Sequence, residues 1–270
     1  KPWSIMALTF TNKAAKEMRE RINKIVGADV ASHICIGTFH SIFSRFMRVE
    51  SEYIGYNSNY TIYDESDSRS LLKAIIKEKG LDPQDYKPAA VHSRISMAKN
   101  NLVTPEIYRA DKDYYEHDKN AKMPKLGEIY EVYVQRCKQA NAMDFDDLLM
   151  LTFQLFRDHE EIRQKYSDRF DFILVDEYQD TNHVQMKIVM QLCKEKNRVC
   201  AVGDDSQSIY SFRGANIDNI LRFQSQLKGA KLFKLEQNYR STQNIVNAAN
   251  SLIKRNKNQI QKDVFSENAV

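Results

Sequence analysis

The sequence of 270 residues lacks several features that would assign it to a class of protein at once. No apolar run approaches the roughly 18 residues that a membrane-spanning helix needs. The amino terminus, "KPWSIMALTF", has too short an apolar part and meets charge too early to predict a signal peptide. We therefore expect a cytoplasmic chain with no membrane partner.

Cysteine is also scarce. The four cysteines, Cys35, Cys137, Cys193 and Cys200, form no CxxC pair, and no histidines stand at the spacing of zinc ligands. Three of the four lie in apolar runs, which predicts buried free thiols rather than a metal site. The net charge of +4 is too small to predict nucleic acid binding by itself.

Glycine is the third scarce residue. None of the eight glycines is followed by lysine, so the chain contains no GxxxxGK[ST] loop of the kind that cradles nucleotide phosphates. That absence contrasts with the rest of the sequence, which is rich in residues suited to nucleotide chemistry.

Strand and helix patterns alternate at both ends of the chain. "SIMALTF" and "HICIGTF" predict strands, each followed by a helix with apolar residues three or four apart. After "DFDDLLMLTFQLF" come strand-like runs "FDFILVDE", "RVCAVGDD" and "KLFKL", with helices from about His183, Asp218 and Thr242. The apolar positions of the first two helices are Ala15, Met18, Ile22 and Ile25, and Ile42, Phe46 and Val49. This alternation predicts an α/β fold with a parallel sheet and helices packed on its faces.

The central segment differs from both flanks. Residues 51–143 contain long, polar, tyrosine-rich helical stretches such as "SRSLLKAIIKEKG" and "KLGEIYEVYVQRCKQA", with few strand candidates. We therefore predict one sheet domain built from residues 1–50 and 144–250, a mostly helical insertion at 51–143, and a linker or the start of another domain at 251–270.

Two adjacent carboxylates follow the apolar strand in "FILVDEYQDTN". Ligands of open parallel sheets bind at the carboxyl ends of the strands, where Asp176 and Glu177 are expected. There Asp176 suits a magnesium ion, and Glu177 suits the activation of a water that attacks a terminal phosphate. A helix cap or a solvated turn is the alternative interpretation of the pair by itself.

Two further runs place polar residues after strands. "AVGDDSQSIYSFRGA" carries Gln207, whose amide suits a phosphate oxygen and an attacking water, although a plain polar loop explains the run equally well. "LEQNYRST" carries Arg240 at a predicted helix start. Beside acidic strand ends, such an arginine is a candidate for neutralising charge on a phosphate.

Six motifs together resemble one family. "LTFTNKAAKEMRERI", "GTFHSIFSRFMR", "DFDDLL", "ILVDEYQDTN", "VGDDSQSIYSFRGA" and "LEQNYRST" occur in the order and approximate spacing of the UvrD/Rep/PcrA helicases of superfamily one. The resemblance spans nearly the whole chain. It implies a RecA-like domain of the P-loop NTPase fold, called 1A, with a helical insertion called 1B. It also implies a motor that uses ATP and Mg²⁺ to move 3′ to 5′ on single-stranded DNA and to open duplex junctions in repair or replication.

The resemblance also assigns roles to residues of this chain. Asp176 would hold the metal, Glu177 would activate the water, Gln207 would sense the terminal phosphate, and Arg240 would be an arginine finger, with Tyr239 also at the nucleotide. The positions that would touch single-stranded DNA are Thr9, Phe10, Thr11, Asn12, Lys13, His40, Tyr210, Phe212 and Arg213.

The residue types at the DNA positions agree with that role. Aromatic rings can stack on any base, and basic side chains can neutralise any phosphate, so together they suit binding without sequence preference. Core packing is the alternative for Phe10 and Phe212. The family frequently carries tryptophan where this chain has Phe212, and phenylalanine can still stack.

The missing phosphate loop has an explanation within the resemblance. In the family that loop lies shortly upstream of the "LTFTNKAA" motif, so we expect the sequence to be a piece of a helicase. The motor part of a helicase-nuclease, or a relative that binds DNA without catalysis, remains an alternative. Retention of Asp176, Glu177, Gln207 and Arg240 together argues against loss of catalysis. A two-carboxylate metal hydrolase is disfavoured because no histidine cluster accompanies the acids.

Overall fold

A four-stranded parallel sheet organises both flanks of the chain. The structure, a computed structural model, describes residues 1–193, 198–208 and 214–268. The sheet contains β1 (Ile5–Thr9), β2 (Cys35–Thr38), β5 (Phe172–Val175) and β6 (Val199–Ala201), in the order β2-β1-β5-β6. Strands from residues before and after the insertion thus pair directly, as β1 does with β5. The predicted α/β class with a parallel sheet is confirmed.

The helices of the flanks begin close to the predicted positions. Their bounds are α1 (Asn12–Val26), α2 (Ala28–Ser32), α3 (Phe39–Glu50), α9 (Asp147–Asp158), α10 (Glu160–Arg169), α11 (His183–Cys193), α12 (Asp218–Leu221), α13 (Phe223–Gln226) and α14 (Gln243–Ile253). The start of α11 is confirmed. The helix predicted from about Asp218 is instead two short helices separated by Arg222.

One face of the sheet carries the main core. Met6, Leu8, Ile173 and Val175 point into a cluster of apolar side chains that α3, α9, α10 and α11 supply. On the other face, α1 packs against β2 and β1, while Phe172 and Leu174 of β5 stay partly exposed. Because α1 covers only part of this face, an apolar groove of about 800 Å³ remains beside it.

The insertion has a core of its own. Two short parallel strands, β3 (Thr61–Tyr63) and β4 (Ala142–Asp144), pair at its two ends. Between them lie α4 (Glu65–Glu78), α5 (Pro88–Asn100), α6 (Pro105–Ala110), α7 (Lys112–Asn120) and α8 (Leu126–Gln139). Their second apolar cluster includes the buried tyrosines Tyr86, Tyr108, Tyr130 and Tyr133. The β3–β4 pair brings the two ends of the insertion together, so strands that precede and follow the insertion can pair in one sheet.

Three details of the sequence interpretation are wrong. "KLFKL" forms no strand, and Leu232, Phe233 and Leu235 are exposed. Among the described residues this run pairs with neither sheet, although β6 is an edge strand, and without a paired neighbour an apolar run does not form a strand. Ile25 and Val49 are also exposed, because they lie at helix positions that turn away from the sheet. Cys137 and Cys193 are buried free thiols, whereas Cys200 is exposed on the open face of β6.

Candidate nucleotide and DNA site

Two neighbouring strand ends bring the acidic pair and the Gln207 loop together. β5 and β6 pair in parallel, with Val175 opposite Ala201. Beyond the strands the pairing continues, because the Tyr178 amide donates to the Val202 carbonyl at 2.9 Å. Asp176 and Glu177 therefore lie beside the loop that leads to Gln207.

The acidic pair has an unusual backbone. The Asp176 amide still donates to the Leu8 carbonyl of β1 at 2.9 Å, which fixes this residue to the sheet. Glu177 then adopts the left-handed region, with φ of 51°. Non-glycine residues occupy that region at an energetic cost and are concentrated at functional sites. Burial, and then the charge of Glu177, raise the pKa of Asp176.

Gln207 reaches the acidic pair through other residues. Its side-chain amide donates to Asp204 Oδ2 at 2.9 Å. The Asp204 amide in turn donates to Gln179 Oε1 at 3.0 Å, and Gln179 Nε2 donates to Glu177 Oε2 at 2.8 Å. Two of the three predicted catalytic residues, Glu177 and Gln207, are thus linked through Asp204 and Gln179.

Tyr239 and Arg240 make local contacts instead of joining this group. Tyr239 is 79% exposed, and its hydroxyl donates to Gln237. Arg240 is exposed, and its backbone amide donates to Asn238 Oδ1 at 2.9 Å. Within the part of the chain that the structure describes, no hydrogen bond or ion pair joins the Arg240 guanidinium to the acidic pair or to Gln207.

A cavity of about 460 Å³ opens at the same edge of the sheet. It lies beyond the ends of β1 and β2, and five of the predicted site residues line it together. These are Thr9, Phe10, Thr11, His40 and Gln207. One residue of the predicted nucleotide site therefore shares a cavity with four residues of the predicted DNA site.

The side chains in and beside this cavity have different local roles. Thr11 caps α1 by accepting from the Ala14 amide, and Asn12 and Lys13 follow it, exposed, in the first turn. Phe10 lies 5.7 Å from Phe39 between ring centres. His40 stacks on Phe145 at 4.0 Å. These two aromatic rings thus already contact other rings of the chain.

The hydroxyl of Thr9 is buried, and no hydrogen-bond partner for it occurs among residues 1–193, 198–208 and 214–268. A buried hydroxyl without a partner is unfavourable. The predicted DNA contacts Tyr210, Phe212 and Arg213 lie outside the described residues.

Sequence analysis missed several residues that line the cavity. They are Thr38, Phe39, Asn100, Asp180, Asn182, Gln185 and Ala215. Asp180 and Asn182 belong to the quoted run "DEYQDTN", so their position after β5 was a usable signal. Asn100 comes from α5 of the insertion and donates to Asp146 Oδ1 at 2.9 Å. Nothing in its local sequence indicates that an insertion helix reaches the sheet edge.

The donor set fits a magnesium nucleotide better than a protein-held metal cluster. Across the described residues, no group of three or more His, Cys, Asp or Glu side chains could hold a metal ion. Magnesium needs only one or two carboxylates when phosphates and waters complete its shell, and Asp176 at a strand end can provide one.

None of the helices in the described part of the chain is long and apolar enough to cross a membrane.

Comparison with known proteins identifies the family. The family described as UvrD/REP helicase N-terminal domain matches residues 1–228. The chain is 43% identical over 267 residues to the ATP-dependent DNA helicase PcrA of Leuconostoc citreum, covering 99% of this chain and 35% of that protein. It is 43% identical over 268 residues to PcrA of Bacillus subtilis (strain 168), again covering 99% of this chain and 35% of the relative. The chain thus spans about a third of the length of these relatives, and over that span it belongs to the UvrD/REP helicase family.

Proposed function

We propose that this chain supplies the first motor domain, 1A, and the helical insertion, 1B, of an ATP-dependent helicase. The complete protein would hydrolyse ATP to move 3′ to 5′ on single-stranded DNA and to separate duplex DNA at a junction, in repair or replication. The observation that supports this most directly is the position of Gln207. It is joined by hydrogen bonds to the acidic pair and also lines the cavity that four predicted DNA contacts share.

Four residues of the chain would act on the nucleotide. Asp176 would hold Mg²⁺, which neutralises phosphate charge when bound. Glu177 would accept the proton of the attacking water, and Gln207 would orient that water against the terminal phosphate. Arg240, with Tyr239 beside it, is assigned by its motif, and its exposed side chain would neutralise charge on the phosphate.

The cavity suits a single strand without sequence preference. Phe10 and His40 supply aromatic rings, and the exposed Asn12 and Lys13 supply polar and charged groups at the start of α1. Base stacking and phosphate neutralisation are the two elements that such binding needs. The motifs assign Tyr210, Phe212 and Arg213 to the same role.

The first experiment tests DNA binding by residues 1–270. We expect weak binding of a fluorescent single-stranded oligonucleotide, with affinity that falls steeply as salt rises. Lys13→Glu should weaken binding and reduce the salt slope by about 1, because one phosphate contact is lost. Lys119→Glu, an equally exposed lysine on α7, is the matched control. Equal losses in both variants would contradict a DNA site at the cavity.

The second experiment tests the motor. We expect the complete gene product to hydrolyse ATP faster when single-stranded DNA is present, and residues 1–270 alone to hydrolyse it negligibly. The reason is that no glycine of this chain is followed by lysine, so no loop within it can cradle the phosphates. A complete gene product without DNA-stimulated hydrolysis would contradict the proposed function.

A further inference from the structure

A buried glutamine connects the acidic pair to the neighbouring loop. Gln179 is only 2% exposed and lies two residues after Glu177. Its Nε2 donates to Glu177 Oε2 at 2.8 Å, and its Oε1 accepts from the Asp204 amide at 3.0 Å. One side chain thus spans the ends of β5 and β6.

Chemistry fixes the orientation of this amide. A carboxylate can only accept a hydrogen bond, and a backbone N–H can only donate one. Nε2 must therefore face Glu177, and Oε1 must face Asp204. Because the opposite orientation would lose both hydrogen bonds inside the protein, the side chain has one stable position.

The loop after β6 passes very close to the Gln179 side chain. A Cβ at Gly203 would lie 2.5 Å from Gln179 Oε1 and 3.0 Å from the Tyr178 amide nitrogen. The first distance is shorter than real Cβ contacts allow without a shift, and the second is tighter than most of them. Glycine at this position therefore permits the close approach that lets Gln179 reach Asp204.

The glutamate that Gln179 holds is itself in a strained position. Glu177 has a left-handed backbone, and its side chain is exposed. An exposed glutamate has several rotamers of similar energy, so its carboxylate has no fixed direction unless a donor holds it. Gln179 is that donor, and it is buried and fixed at both ends.

We propose that Gln179 is a positioning residue that holds the Glu177 carboxylate in one direction, beside the loop that carries Gln207. The inference rests on the proposed function, because it acts through the water-activating role of Glu177. Without this donor the carboxylate would sample other directions. The rate of the chemical step would then fall more than nucleotide affinity, because only the alignment of the water is lost.

The test uses the complete gene product and its DNA-stimulated ATP hydrolysis, measured well below the melting temperature of each variant. Gln179→Met keeps the length of the side chain and removes both hydrogen bonds. We expect kcat to fall about 10- to 100-fold, in the range that small misplacements cause, while KM for ATP stays near the wild-type value. Gln191→Met is the matched control, since Gln191 donates to the Phe153 carbonyl from the far end of α11. It should leave kcat unchanged.

Two further variants sharpen the test. Gln179→Glu keeps an acceptor for the Asp204 amide and replaces only the donor that faces Glu177, so it should lower kcat at least as much as methionine does. It also gives the answer if the methionine variant does not fold. Gly203→Ala should displace Gln179 and lower kcat as well. Combined with Gln179→Met, it should add little, because both changes remove the same contact.

The outcomes separate this inference from the proposed function. An active wild type with unchanged kcat in Gln179→Glu, or equal losses in Gln191→Met and Gln179→Met, would overturn the role of Gln179 alone. A rise in KM with unchanged kcat would also overturn it, since Gln179 would then act on nucleotide affinity. An inactive wild type would instead overturn the proposed function.

Discussion

Two groups of three acids follow parallel strands in this chain, and they have opposite environments. The sheet-edge acids, Asp176, Glu177 and Asp180, come after β5 and are exposed or half-buried. The junction acids, Asp144, Asp146 and Asp147, come at and after β4, where the insertion joins the sheet domain. Both groups follow a strand in the structure, whereas the sequence predicted an acidic strand end for only one of them, at Asp176 and Glu177. The junction acids are held by a buried ion pair, whereas the sheet-edge acids are left available to bind a ligand.

A buried lysine pairs with two of the three junction acids. Lys99 of α5 has a fully buried side chain that lies 2.6 Å from Asp144 Oδ2 and 2.7 Å from Asp147 Oδ1. The Tyr133 hydroxyl also donates to Asp144 Oδ2, at 2.9 Å. A buried charge is stable only when it is paired and hydrogen-bonded, and this cluster meets both conditions.

The sheet-edge acids have no such cation. Across the described residues, no lysine or arginine forms an ion pair with any of the three. Burial, followed by the charge of Glu177, raises the pKa of both Asp176 and Asp180. Lys262, the lysine that reaches this edge of the sheet, pairs with Asp204 and Asp205 of the β6 loop instead. The difference indicates that Asp176, Glu177 and Asp180 are left open to a cation from a ligand, whereas the junction acids have Lys99.

The largest effect should follow from removing the cation that we propose for the sheet edge. Arg240→Ala in the complete gene product should lower ATP turnover by about a thousandfold or more, because an arginine finger acts on charge that develops in the transition state. ATP affinity should change much less. Steady-state hydrolysis and nucleotide titration measure the two quantities, and equal losses in both would make Arg240 a ground-state phosphate contact.

Glu177→Gln should have the next largest effect. The amide cannot accept the proton of the water, so turnover should fall about 10²- to 10⁴-fold, the usual contribution of a general base. Nucleotide binding and the melting temperature should be preserved, since the Glu177 side chain is exposed. Unchanged turnover would remove Glu177 from this role.

Lys99→Met should strongly lower the stability of the protein. It leaves Asp144 buried without its cation, and removing one partner of a buried pair costs about 3 to 5 kcal/mol of the free energy of unfolding. Urea unfolding measures the change. Lys16→Met is the control, since the exposed Lys16–Glu20 pair, 3.9 Å apart, should contribute less than about 1 kcal/mol. Similar losses in the two variants would contradict the comparison between buried and exposed pairs.

The smallest expected effect is a pH dependence at the junction. Burial, and then the charge of Asp144, raise the pKa of Asp147 to about 7. In the unfolded chain this carboxyl loses its proton near pH 4, so between about pH 4 and 7 the folded chain binds the extra proton. The contribution of Asp147 to stability is therefore present at low pH and is lost as pH rises, by at most about 1.4 kcal/mol per unit.

Asp147→Asn removes that titration because asparagine stays neutral. We expect the free energy of unfolding of this variant to fall less than that of the wild type between pH 5 and 7, measured by urea unfolding at each pH. Parallel curves for the two proteins would show that Asp147 is ionised in the folded chain throughout this range.

Local sequence predicted much of the fold and part of the site. The apolar runs before Asp176 and Val202 are strands, and α11 begins at His183 as expected, because strand and helix periodicity are properties of neighbouring residues. The strand predicted at "KLFKL" fails for the opposite reason. Forming a strand requires a partner edge, and a local pattern carries no information about its presence.

The roles of Lys99 and Gln179 show the same limit at the level of single side chains. Lys99 lies in a polar run that is typical of an exposed helix face. It is nevertheless buried, because α5 packs on α9 and α11. Gln179 lies inside a quoted motif, yet its contact with the Asp204 amide depends on how closely the Gly203 loop approaches. Neither position follows from neighbours in the sequence.

Motif order along the chain and local periodicity were enough to predict the family, the parallel sheet, and the positions of Asp176, Glu177 and Gln207 after strands. The tertiary structure decided which acids are neutralised and which stay open to a ligand. It also decided that Gln207 lies between the acidic pair and the cavity. Those outcomes depend on distances between residues far apart in sequence, and packing alone sets such distances.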